Sequence, residues 1–378
     1  MYKRQGQYCV YPDVRNIEKY TGNILPTNFD VIKKEMIKKN VYHKLDDYVK
    51  VSGDLAVKLY KEDIEAALRT KDFGGFELLS LCDYTGQSTA TVGILDVFFD
   101  SKGLIEPDKF RQFCNNVVPL FKAKRIFKNT ETLEAEFDLY DYGREKTENP
   151  VFDLKIYNGK EIFYQTQTTE RKISVPLNSI IKSSQLKVEL SVGDYTNSWN
   201  IYVFADSKIN TDVRIIKTAE ELKDIINNGG RAILTADCIK NPIDGSFIPV
   251  FWSPVHFPSQ KPCGAIINDT HPIFEDFPTE KYPDYQWKTL LDNSKSVDIS
   301  SFGDDFKPIV ETVPNFVDNT PSSPFFEAKI GNADILFCGF DLDKEDIATK
   351  QLKACIYNYI CSESFNPQNR VGEKDLYN

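Results

Sequence analysis

Residues Asp72 to Ile105 read DFGGFELLSLCDYTGQSTATVGILDVFFDSKGLI. The Gly74-Gly75 pair opens the stretch, and Phe76, Leu78, Leu79 and Leu81 form a short apolar run. Asp83-Tyr84-Thr85-Gly86-Gln87 then break it with polar groups. A buried strand that ends in a loop dense with hydrogen-bonding groups is how barrel and open α/β enzymes present binding residues. The residues before this stretch are helical in pattern, and those after about residue 125 fall into separate modules. Gly74–Asp83 is therefore expected to be the last strand of a barrel whose earlier strands lie outside the chain.

Upstream, MYKRQ is followed at once by GQYCVYPD, so the first five residues read as a non-native leader on a segment from the middle of a domain. Asn28 is placed to cap FDVIKKEMIKKN, in which Phe29, Ile32, Met36 and Ile37 recur at helical spacing. LAVKLYKEDIEAALRT puts Leu55, Leu59 and Leu68 near one face, with Ile64 and Ala67 alongside. Residues 106–121 (EPDKFRQFCNNVVPLF) read as a further helix with Pro107 in its first turn and an apolar face of Phe110, Phe113, Cys114, Val117 and Phe121. Two helices flanking a strand without a complete core of their own suggest a slice of a (β/α)8 barrel, residues 1–123.

Downstream the period changes to 2. Leu133, Ala135, Phe137 and Leu139 alternate with Glu134, Glu136 and Asp138, Asn158-Gly159 is a hairpin turn, and LKVELSV and SWNIYVF alternate likewise. Residues 124–206 are accordingly expected to form an immunoglobulin-like sandwich. In residues 207–366, Thr218-x-x-Glu221 is a capping box, RAILTA and ADILFCGFDLD are short buried strands, and a helix follows the second. That order suggests a flavodoxin-like, class I amidotransferase-like α/β domain, with a long Pro- and aromatic-rich loop from Pro249 to Pro283 and a tail at 367–378. The chain as a whole is read as multidomain, α/β plus all-β.

Bulk composition limits the function classes. With 378 residues and 41% hydrophobic content, the chain holds two or three domains. A net charge of −10, from 56 acidic against 46 basic residues and no basic run, argues against a nucleic-acid partner. No apolar segment approaches the ~18 residues needed to span a membrane. Eight cysteines lie without a CxxC pair or a histidine at ligand spacing, so no metal and no cofactor is expected. They do not fix a compartment: periplasmic or extracellular if a signal peptide lies upstream, cytoplasmic otherwise.

Three constellations could carry chemistry. Cys238 follows a strand, as an amidotransferase nucleophile would, but there is no Gly-x-Cys-x-Gly elbow, and His256 and His271 stand singly beside prolines. Asp83, Asp96 and Asp100 lie in or after the focal loop. Glycoside hydrolysis needs two flanking carboxyls, yet nothing in the spacing of these three makes them converge. Aromatics at 13% suit sugar-stacking surfaces but serve cores more commonly.

GQYCVYPD, YKEDIEAALRT and GGFELLSLCDYTGQSTATVGILDVFFDSKGL together resemble the end of the catalytic barrel in glycoside hydrolase family 2, in its large multidomain members. The resemblance implies that Gly74–Asp83 is the eighth barrel strand. It also implies that the nucleophilic Glu lies just upstream of Gly6-Gln7-Tyr8 and the acid/base Glu further upstream, so neither is in this chain. Where that family often carries a Trp, this chain has Leu78-Leu79. Implied substrate-binding residues are Gln7, Tyr8, Asp83, Tyr84 and Gln87, on one wall of a sugar pocket. The expectation is thus an inactive piece of a retaining β-glycosidase with a carbohydrate as partner, the homo-oligomeric state left open. The alternatives are a non-catalytic carbohydrate-binding or assembly module, and an amidotransferase-like hydrolase at Cys238 with His271.

Overall fold

The computed structural model describes residues 2–5, 7–84, 90–249 and 261–377. The fold is mixed α/β with several sheets. Its first region contains β1 (Tyr2–Gln5), α1 (Thr27–Lys38), α2 (Leu45–Arg69) and β2 (Phe76–Leu78). β1 and β2 pair in parallel, with Tyr2 opposite Phe76 and Gln5 opposite Leu78. Parallel neighbours need a long crossover, and the two helices provide it. No closed barrel forms among the described residues. The regular part of the expected Gly74–Asp83 strand is three residues long, because the backbone beyond it turns to local partners: Ile94 N–H donates to the Leu81 carbonyl at 3.1 Å and Asp83 N–H to that of Leu95 at 3.0 Å. The segment read as a leader holds β1. α1 begins at Thr27 after Pro26, ahead of the expected cap Asn28, and buries Phe29, Ile32 and Met36 while Ile37 is exposed.

After a single turn, α3 (Pro107–Phe110), the run expected to continue as helix becomes β3 (Val117–Lys122). An apolar run such as VVPLF fits either period. Here Pro119 lies on an edge strand, where the ladder tolerates a missing N–H. The strands β4 (Ile126–Lys128), β5 (Thr132–Asp141), β6 (Phe152–Asn158), β7 (Glu161–Thr168), β8 (Lys172–Pro176), β9 (Ser184–Val192) and β10 (Tyr195–Phe204) follow. They form one sheet in the order β4-β10-β9-β6-β7 and another in the order β3-β5-β8. Leu133, Ala135 and Phe137 of the second meet Leu154, Ile156, Val188 and Trp199 of the first in a common core. The hairpin between β6 and β7 turns at Gly159, whose φ of 61° suits glycine.

The third region is an eight-stranded mixed sheet. It is built from β11 (Ile215–Ile216), β12 (Gly230–Thr235), β13 (Ile243–Asp244), β14 (Gly264–Ile267), β15 (Lys295–Asp298), β16 (Val310–Val313), β17 (Ser322–Ile330) and β18 (Ala333–Cys338), with helices α4 (Ala219–Asn228), α5 (Lys288–Leu291) and α6 (Ile347–Ile360). The capping box at Thr218 and Glu221 forms as read. β11, β12 and β18 run parallel, but β17 is antiparallel to β18, and β15 and β16 are antiparallel to β17. The flavodoxin-like expectation requires an all-parallel layer; half of this sheet is instead antiparallel, with β14 inside the segment read as a loop from Pro249 to Pro283 and β15, β16 and β17 following it. α4 packs on one face, with Leu222 and Ile225 against Phe326 and Phe337, and α6 on the other, with Leu352 and Ile356 against Phe325 and Leu336.

α2 joins all three regions. Val51 and Tyr48 share a core with Cys263 and Val313, while Leu55 packs in the core that holds Tyr202, Phe204 and Leu336. Tyr202 and Phe204 break the alternation of β10 for this reason: both faces of that strand end are buried.

Candidate functional site

The carboxyl ends of β1 and β2 deliver Gln7-Tyr8 and the segment Leu79–Tyr84 to one end of the first region. A third segment, residues 90–102, is layered between them. Val10 N–H donates to the Thr91 carbonyl at 2.8 Å, and Thr91 Oγ1 returns a bond to the Val10 carbonyl at 2.5 Å. Tyr84 and Ala90 exchange backbone bonds of 3.0 and 3.2 Å. Gln87 lies outside the described residues.

Asp83 is 8% exposed. Its Oδ1 accepts from Gly93 N–H at 2.9 Å and from Lys102 Nζ at 2.6 Å, and Lys102 Nζ also donates to the Gly93 carbonyl at 2.9 Å. Burial pushes the Asp83 carboxyl up and the Lys102 ammonium down, and their mutual attraction opposes both shifts. Gly93 is required by close approach: a Cβ there would lie 2.4 Å from the Cys82 carbonyl carbon and 2.5 Å from Asp83 N. Tyr60, fully buried on α2, donates its hydroxyl to the carbonyls of Val92 and Ser80, tying the helix to both layers.

Tyr8 is half-buried and donates to Asp63 Oδ2 at 2.8 Å, with its ring edge-on to Tyr60 at 6.2 Å. Gln7 is half-buried beside it. Tyr84 is 55% exposed, with Leu79 and Leu81 also open to solvent. The structure thus brings Gln7, Tyr8, Asp83 and Tyr84 to one mouth. It combines the exposed ring of Tyr84 with a floor made by the buried Asp83–Lys102 pair and the Asp63 carboxylate engaged by Tyr8. Asp96 and Asp100 do not join it. Both grip Lys19 Nζ, at 2.5 and 2.8 Å, and Asp96 also accepts from Phe98 N–H and Asp100 N–H, so they staple the following turn. Lys102, Asp63, Tyr60 and Gly93 escaped the sequence reading. Lys102 lies 19 positions from Asp83 with no periodic signal to link them.

The other proposed centre is dispersed. Cys238 is buried with its thiol pushed up to about 11 by desolvation, and its Sγ faces the Ile216 carbonyl at 3.9 Å. His271 sits instead beside Tyr359 and Glu327, its Nδ1 accepting from Ile273 N–H. His256 lies outside the described residues. Among the described residues no group of three or more Cys, His, Asp or Glu could hold a metal, and no helix is long and apolar enough to cross a membrane.

Two family models match this chain. One, a domain of unknown function (DUF8488), covers residues 131–205. Another, a domain of unknown function (DUF8487), covers residues 214–378. No curated protein matches the chain in sequence. A weak structural neighbour is the apo structure of Bacteroides uniformis β-glucuronidase 3, at 12% identity and a TM-score of 0.21, covering 43% of this chain and 22% of that one. Three N-terminal domains of the bacteriophage RB49 highly immunogenic outer capsid protein match at 11% identity and a TM-score of 0.20, over 34% of this chain and 37% of theirs. Likeness at that level carries no argument about the chemistry of this chain.

Proposed function

We propose that the chain is the C-terminal part of a multidomain retaining β-glycosidase similar to glycoside hydrolase family 2, and that the mouth described above is one wall of its sugar pocket. The observation that carries this reading is the parallel pairing of β1 with β2. It sets Gln7-Tyr8 and Asp83-Tyr84 at the carboxyl end of neighbouring strands, where α/β enzymes bind their ligands. The sequence resemblance around these same residues supports it independently. In this reading residues 1–123 belong to the catalytic barrel, 124–206 to an immunoglobulin-like sandwich and 207–366 to an accessory α/β domain.

Tyr84 offers its exposed ring to a pyranose face, Gln7 and Gln87 bond hydroxyls, and Tyr8 presents its ring edge from the β1 side. Asp83, held by Lys102 and Gly93, positions the backbone of Tyr84. The reaction forms a glycosyl-enzyme on one Glu and hydrolyses it with help from a second. Both would come from residues outside this chain, so these 378 residues alone are inactive. Purified protein incubated with aryl β-glycosides is expected to release no chromophore above buffer; turnover would overturn the assignment of both carboxylates to missing residues.

A second reading, a non-catalytic carbohydrate-binding module, is favoured by one feature of the two-sheet region. Tyr140 and Tyr142 stack at 6.0 Å with rings 10° apart, and Tyr142 is 76% exposed. Retention of the full chain on an immobilised oligosaccharide, lost in Tyr142→Ala and kept in Tyr84→Ala, would favour it over the barrel mouth.

A further inference from the structure

A cavity of about 500 Å³ opens between β17 and the C-terminal tail, lined among others by His271, Phe302, Lys307, Ile309, Glu327 and Arg370. Its volume falls in the range of small-molecule sites. The tail is fixed against the strand: Lys329 bridges Arg370, and the Asn369 side chain donates to the carbonyls of Lys307 and Glu327, both at 2.9 Å. The walls are therefore held on both sides rather than formed by a loose end.

Glu327 is the buried acid in this wall, 9% exposed on the strand, its carboxyl pushed up by burial. Its Oε2 accepts from the Tyr359 hydroxyl at 2.8 Å, and His271 Nε2 stands 3.8 Å away. His271 Nδ1 accepts from Ile273 N–H, which leaves the ring hydrogen on Nε2, facing Glu327. Burial drives the imidazole down to about 4, so it is neutral at physiological pH. Lys329, two residues along the strand, is engaged by Asp334 at 2.6 Å. Among the described residues the carboxylate is thus touched by neutral donors and by no cation, although a buried carboxylate gains most from a positive partner. Phe302 and Phe306, edge to face at 4.8 Å, form an aromatic wall of the kind that attracts ammonium groups. At the exposed rim stand Asp305, Lys307 and Arg370. Arg370 is opposite Lys329, hence on the same strand face as Glu327 and on the order of 7 Å from it diagonally, a gap that the arginine side chain spans.

We propose that this cavity binds a small zwitterionic amine of the amino-acid type, with an apolar side chain. The ammonium donates to Glu327 and supplies the positive partner that its neutral neighbours do not. The carboxylate meets Arg370 at the rim, and the side chain lies on Phe302 and Ile309. The site is separate from the sugar mouth and stands whether or not the glycosidase reading does.

Titration calorimetry on the full chain with L-phenylalanine, 2-phenylethylamine and 3-phenylpropionate tests it. The amino acid is expected to bind tightest, the amine more weakly, and the acid not at all. Glu327→Gln should weaken L-phenylalanine by at least about tenfold with its melting transition retained. Arg370→Gln, on the exposed rim, should weaken the amino acid and leave the amine unchanged, and it serves alone if the first variant does not fold. Absence of binding by all three probes, equal binding of acid and amino acid, equal binding of amine and amino acid, or unchanged affinity in folded Glu327→Gln would overturn the proposal.

Discussion

Two buried acid–base centres lie beside α2, and they are built differently. At the joint between α2 and the two-sheet region, Glu65 is fully buried and surrounded. Oε1 accepts from Lys61 Nζ at 2.5 Å and Asn197 Nδ2 at 2.8 Å, and Oε2 from Trp199 Nε1 at 2.9 Å and Arg69 Nη1 at 3.2 Å. Lys61 also lies 4.6 Å from the Trp199 ring centre. At the mouth, both bonds to Asp83 fall on Oδ1, and one comes from a backbone N–H. Saturated by donors from α2 and β10, Glu65 is held below the usual carboxylate range even though burial alone would raise it. Asp83, with fewer donors, stays above that range. The lesson is that burial of a charge does not mark function. The count of donors around it separates a joint from a site that retains free bonding capacity.

The strongest way to break this contrast is Glu65→Leu. It strands Lys61 and Arg69 in a dry joint, and a loss of about 3–5 kcal/mol is expected from the urea midpoint at neutral pH. The double variant Glu65→Leu/Lys61→Leu should recover part of it. The pH dependence follows from the shifts. Because Glu65 is lowered in the folded state, its contribution is complete above the ordinary glutamate value and is lost as pH falls through the lowered one. Asp83 is raised, so its own contribution has the opposite sign: it is complete below the ordinary aspartate value and disappears as pH rises through the folded one. Wild-type and Glu65→Leu melts compared across the acid range should therefore converge as pH falls.

At the mouth the expected effects are smaller. Lys102→Met leaves Asp83 buried with the Gly93 N–H, at a cost of about 3 kcal/mol, and adding Asp83→Asn should restore most of it, which the Glu65 joint would not allow so simply. Gly93→Ala forces a Cβ into the Cys82–Asp83 backbone rather than into a flexible side chain, and should cost about 1–3 kcal/mol by thermal melting. A loss under about 0.5 kcal/mol would show that the three layers slide past one another, and the floor of the mouth would not be rigid.

Sequence pattern revealed elements whose burial is one-sided. The strands of the two-sheet region alternate cleanly because each has one wet face, and the Thr218–Glu221 box is local by nature. It missed what depends on distant partners. Val117–Lys122 reads as helix until its pairing with β5 is known, and the antiparallel half of the third region's sheet hides in short strands, four residues each at β14, β15 and β16. At the proposed site, Asp83 and Tyr84 drew notice because they follow the apolar run from Phe76 to Leu81, whereas Gln7 and Tyr8 were named only through the family resemblance. Lys102 and Glu65 drew none. A lysine on a loop reads as solvated, and Glu65 in KEDIEAALR looks like one half of an exposed i,i+4 pair with Arg69. The available hint was its neighbourhood, between Ile64 and Ala67 on the buried side of α2.

Tyr84 gives the smallest effect on the fold and the sharpest on the reading. Its side chain is 55% exposed and its fold contacts are backbone bonds to Ala90, which any residue keeps. Tyr84→Ala should therefore change stability by no more than about 0.5 kcal/mol in urea. If the ring is a sugar platform, the same change should remove about 1 kcal/mol of binding to a monosaccharide in titration, close to a fivefold loss, since an aromatic contact adds roughly that much. A stability loss with no change in sugar affinity would place Tyr84 with Glu65, among the residues that hold the chain together.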